Sequence, residues 1–70
     1  MKTSIKGHIV SYEPDANGGV RYLTQMIDPN EAKVFFDQAF GRGFADFEDQ
    51  NGANYKLTLH GSEYQLTKEQ

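Results

Sequence analysis

Two stretches, Thr3 to Glu13 and Val20 to Ile27, are rich in β-branched and aromatic residues, the composition expected of strands. Between them, Pro14-Asp15-Ala16-Asn17-Gly18-Gly19 places Asp15 at the first position of a type I turn and Gly18 at the fourth, which predicts a hairpin loop. Pairing Tyr12 with Val20 then sets Val10 against Tyr22, Ile9 against Leu23 and Ile5 against Ile27. Side chains alternate along a strand, so this hairpin is apolar on both faces. One face carries Ile5, Ile9, Leu23 and Ile27, and the other carries Val10, Tyr12, Val20, Tyr22 and Met26.

After Ile27 the periodicity changes. Asp28-Pro29-Asn30-Glu31 combines an Asx N-cap, a proline where no amide hydrogen is needed and an acid beside the positive helix end, so a helix starts here. Ala32, Phe35, Phe36, Ala39 and Phe40 follow the i, i+3, i+4, i+7, i+8 spacing and form one apolar stripe. Ile27 is placed to close on Ala32 as a hydrophobic staple, which assigns the Ile5, Ile9, Leu23 and Ile27 face to the helix. Gly41 is placed to end the helix in the left-handed conformation.

The rest reads as a three-stranded meander of Phe44 to Asp49, Ala53 to His60 and Glu63 to Lys68. A two-residue Gly61-Ser62 loop of type II′ sets Leu59 opposite Tyr64, Leu57 opposite Leu66 and His60 opposite Glu63. At the preceding turn a two-residue Asn51-Gly52 loop would mix polar and apolar residues on both faces. A three-residue loop, opened by Asp49 with Gly52 as the left-handed bulge residue, instead pairs Phe47 with Tyr55, Ala45 with Leu57 and Asp46 with Lys56. The fold expected is α+β in the order ββαβββ, with one amphipathic helix packed across a twisted antiparallel sheet, all 70 residues forming a single domain.

Composition narrows the chemistry. The chain has no cysteine and 37% hydrophobic residues, so folding rests on packing without disulfides, and a thiolate metal site is excluded. Ten acidic against seven basic residues give a net charge of −3 without a basic cluster, which disfavours direct nucleic-acid binding. No apolar run has the length of a signal peptide or a membrane span, so a cytoplasmic, membrane-free location is expected, although a chain that had lost its signal would look the same.

Candidate chemistry is sparse. Neither Asn17-Gly18-Gly19 nor Gly41-Arg42-Gly43 leads into a helix as a phosphate loop does, so both read as turns and caps. His8 and His60 read as solvent-facing sheet residues, and Ser4, Ser11 and Ser62 lack a nucleophile elbow. Asp46, Glu48 and Asp49, with Glu13 and Asp15 elsewhere, do not match a calcium loop. No catalytic residue, metal ligand or cofactor is nominated.

The surplus apolar face of the first hairpin remains. One helix covers one face, which leaves Val10, Tyr12, Val20, Tyr22 and Met26 as the expected protein interface, with Tyr12 and Tyr22 as anchors. The function expected is a small non-enzymatic protein-binding or self-associating module, regulatory or homodimeric in character. The alternatives are an acidic inhibitor or nucleic-acid mimic and, after it, a small enzyme with an unidentified site.

Overall fold

A computed structural model describes residues 1–69. The chain forms strands β1 (Lys2–Ile5) and β2 (His8–Tyr12), then a continuous helical segment made of a 3-10 turn (Pro14–Ala16), the short helix α1 (Asn17–Arg21) and a π-helical turn (Tyr22–Met26). The long helix α2 (Pro29–Arg42) and strands β3 (Phe44–Glu48), β4 (Asn54–His60) and β5 (Glu63–Glu69) follow. The fold is α+β, with two strands before the helices and three after them. The strands make one five-stranded sheet in the order β1-β2-β5-β4-β3. Three of its strand pairs are antiparallel, and β2 and β5 are parallel. The sheet is therefore mixed, because the helical segments carry the chain across it before β3 begins.

Two expectations fail in the first third. The stretch from Thr3 to Glu13 is not one strand, because Lys6 and Gly7 both take positive φ, 53° and 82°, and fold the chain into the tight hairpin β1–β2, with Ile5 opposite His8. Val20 to Ile27 is not a strand either, and the proposed register of Tyr12 against Val20 does not exist. The buried positions Ala16, Gly19 and Leu23 lie three and four apart, which is the spacing of one helix face. This segment and α2 both lie on one face of the sheet, so two helical segments share the layer where one helix was expected.

The second half follows its turns. Asp28 caps α2 by accepting from the Asn30 amide at 2.7 Å, with Pro29 in the first turn. The left-handed cap is Gly43 rather than Gly41, at φ 93° with its amide donating to the Ala39 carbonyl. Gly41 keeps a helical conformation, and the glycine adjoining β3 makes the turn into the sheet. The meander registers agree with those read from the turns, including Phe47 with Tyr55, Leu57 with Leu66 and His60 with Glu63. Gly52 and Gly61 take the positive φ values that those turns need.

The core lies between helices and sheet. Ile5, Val10, Leu57, Leu66, Ala45 and Tyr64 rise from the strands to meet Leu23, Ala32, Phe36 and Ala39. Phe36 is its centre, 1% exposed, with the His8 ring stacked on it at 4.6 Å and the Tyr64 ring edge-on at 5.0 Å. The other sheet face is mostly polar, with Lys2, Ser4, Ser11, Gln65, Thr67, Asn54, Lys56 and Thr58, and among the described residues no helix covers it, an arrangement tolerated by a sheet with one largely polar face. Ile9, expected on the helix side, alternates onto this face instead and is 44% exposed, and Phe44 lies there too.

Candidate functional site

Of the five residues expected to form an interface, Val10 is completely buried. Tyr12, Val20 and Tyr22 are partly buried against the core, and Tyr22 stacks on Phe47 at 5.8 Å. Only Met26, 50% exposed, stands out from the surface. The five come from β2, α1 and the π-helical turn rather than from one hairpin face, so the structure does not bring them together as the register implied.

The outward apolar positions lie elsewhere. In α2 the stripe of Ala32, Phe35, Phe36 and Ala39 turns inward, but Phe40 is 74% exposed. Phe40 lies one turn beyond Phe36, where the helix runs toward its Gly43 cap. Past that cap, Phe44 opens β3 on the helix-free sheet face. The Arg42 guanidinium lies 4.8 Å and the Lys56 ammonium 5.3 Å from its ring centroid, which holds both cations by cation–π attraction. Two phenylalanines four residues apart thus flank the α2–β3 turn with two cations beside the second. The apolar stripe did mark Phe40, but at 3.6 residues per turn Phe40 lies at its outer edge, rotated about 80° from Ala32, so it is the member of the stripe that faces water.

The most fully satisfied polar group is Asp49. Its Oδ1 accepts from the amides of Asn51 and Ala53, each at 2.9 Å, and its Oδ2 accepts from the Tyr55 hydroxyl at 3.1 Å. Burial acts to raise its pKa, but these three hydrogen bonds and the charge of Lys68 outweigh it and hold the carboxyl below its ordinary range. The Tyr55 hydroxyl is pushed up by burial and by Asp49. A carboxylate stabilised in this way is a poor base, and its partner tyrosine is a poor acid, so the pair acts as a pin for the β3–β4 turn. His8, expected to face solvent, is half-buried against Phe36 and Tyr64. His60 is exposed opposite Glu63.

Among the described residues there is no surface pocket and no group of three or more histidines and acids placed to hold a metal ion. No described helix is long and apolar enough to cross a membrane. Comparison with protein-family models, with curated proteins and with solved structures finds no match for the chain.

Proposed function

We propose that the chain is a non-enzymatic protein-binding module that engages its partner through the α2–β3 corner, with Phe40 as anchor. The observation that supports this is the 74% exposure of Phe40, a large aromatic side chain on a rigid helix with Arg42 and Phe44 close in sequence. Aromatic residues and arginine are the types enriched at interface centres. A contact built there needs no rearrangement of the core, because α2 is anchored one turn earlier by Phe36.

The test is capture from cell extract on immobilised protein, using wild type, Phe40→Asp and a control, Val34→Asp, at another exposed α2 position. A partner retained by wild type and Val34→Asp but lost by Phe40→Asp, with all three melting alike, supports the reading. A retained set unchanged by Phe40→Asp overturns it.

A further inference from the structure

The two rims of the sheet carry opposite charge. β1 presents Lys2, with Lys6 at its turn, and no acid. β3 presents Asp46 and Glu48 and no base. Both are edge strands, and each offers a row of backbone groups to a further strand.

The hydrogen-bond phase of the rims is fixed by their inner neighbours. Met1 and Tyr12 exchange both backbone bonds at 2.7 Å, so along the antiparallel β1–β2 pair Thr3 and Ile5 turn their amides inward while Lys2 and Ser4 turn theirs outward. On the other rim the Leu59 amide donates to the Gly43 carbonyl at 3.0 Å and the Asp49 amide to the Ala53 carbonyl at 2.9 Å. There Ala45 and Phe47 bond inward, leaving Phe44, Asp46 and Glu48 with outward backbone groups. The outward residues of both rims have their side chains on the same, helix-free face. The strand pairings also make β1 and β3 run in opposite directions.

We propose that copies of this chain associate head to tail, β1 of one pairing antiparallel with β3 of the next, with Lys2 opposite Glu48 and Ser4 opposite Asp46. This register matches backbone donors to acceptors, keeps the helices of both copies on one side and sets Thr3 against Phe47 and Ile5 against Ala45 in the helix-side layer. It places Lys6 opposite Phe44, whose ring already carries Arg42 and Lys56, a like-charge contact that the pairing of Lys2 with Glu48 and of Ser4 with Asp46 must outweigh. Charge on an edge strand ordinarily blocks pairing, but here the block applies between like edges. Pairing β3 with β3 brings Asp46 and Glu48 against the same acids, a repulsive arrangement. The contact is heterologous, so it extends into open chains or closes as a ring rather than stopping at a two-fold dimer. It is a β-augmentation of one copy by another, on a surface separate from the Phe40 corner.

Sedimentation velocity of the full chain at low ionic strength, from micromolar to millimolar concentration, tests it. Wild type is expected to grow past dimer with concentration. Lys2→Glu, which also removes an exposed ion pair to Glu63 of small stabilising effect, shifts the midpoint for association by about tenfold or more. The Asp46→Lys, Glu48→Lys double variant does the same. Mixing the two restores association, since the reversed β1 of one meets the reversed β3 of the other. Ser4→Pro keeps every charge but removes an outward amide and also weakens association. A wild type that stays monomeric throughout overturns the proposal, as does a mixture that behaves like its separate components. Neither result bears on partner capture by Phe40, so the two readings fail independently.

Discussion

The Tyr55 hydroxyl donates to Asp49 Oδ2 at 3.1 Å, while the ring of the same tyrosine lies so close to α1 that a Cβ on Gly19 would sit 2.8 Å from its Cδ1. The ring is pinned at its tip by the β3–β4 turn and stacks on Phe47 at 5.4 Å. It therefore cannot swing aside, and α1 approaches the sheet only because Gly18 and Gly19 lack side chains.

Gly19→Ala should destabilise the protein by about 1 to 3 kcal/mol, the usual effect of overpacking a core, despite the better helix propensity of alanine. Gly41→Ala is its control. Gly41 is helical, with nothing within 4 Å of the added Cβ, so that change should stabilise by about 0.5 to 1 kcal/mol. Urea midpoints moving in opposite directions confirm the pair, and a neutral Gly19→Ala would place α1 farther from Tyr55.

Phe36→Ala and Phe40→Ala remove the same atoms from neighbouring turns of α2. The first should cost about 3 to 5 kcal/mol, enough to unfold most of so small a domain. The second should change the melting temperature little, since most of the Phe40 ring is already in water. A large effect of Phe40→Ala would mean that the ring is covered in solution. Asp28→Ala, which strips the Asn30 amide of its acceptor, should cost about 1 kcal/mol on the same scale.

Two carboxyl groups give stability opposite dependences on pH. Asp49 lies below its ordinary value of 3.8, so its contribution is present above that value and is lost as pH falls through the lower, folded one. Glu69 lies above its ordinary value of 4.5, chiefly because it shares a hydrogen bond with Asp46, with burial and the Asp46 charge adding to it and Lys56 opposing. Its contribution is present below 4.5 and is lost as pH rises through the raised, folded value. Asp49→Asn should flatten the acid limb of the melting curve against pH. Asp46→Asn should instead flatten the decline above pH 4.5, and identical profiles for both variants would contradict the assignment.

The parts of the fold legible in the sequence are those fixed by short-range chemistry. The Gly61-Ser62 turn, the bulged turn at Gly52 and the Asp28 cap each depend on residues within four positions of one another, and hydrophobic alternation then sets the meander register. The first third departs from its sequence pattern because its local signals conflict with its tertiary role. Gly18 and Gly19 are poor helix formers, yet they are in α1 because Tyr55, more than thirty residues away, needs the space. Lys6-Gly7 closes a hairpin with lysine at a position where asparagine is the usual signal, so the turn passed as the interior of a strand. The candidate site was less visible: the spacing of α2 identifies Phe40 as apolar, but an i, i+3, i+4 stripe does not by itself say which edge residue the sheet leaves uncovered, and Phe40 is that one.

Tyr22 and Met26, expected to share one hairpin face, stand in very different surroundings. Tyr22 stacks on Phe47 at an interplanar angle of 10°, and Phe35 meets the same ring at 5.2 Å, so Tyr22 completes an aromatic layer between the π-helical turn, α2 and β3. Removing it leaves a gap over Phe47 that neither helix can close without shifting. Tyr22→Ala should therefore destabilise by about 2 to 3 kcal/mol, at or below the lower end for a buried aromatic side chain because Tyr22 is only partly buried. Met26, four residues on in the same turn, is half exposed, and Met26→Ala should change stability by less than about 0.5 kcal/mol. If Tyr22→Ala left the urea midpoint unchanged, the helical segment would have to pack differently from the arrangement described, and Tyr22 would again be free to serve as a contact residue.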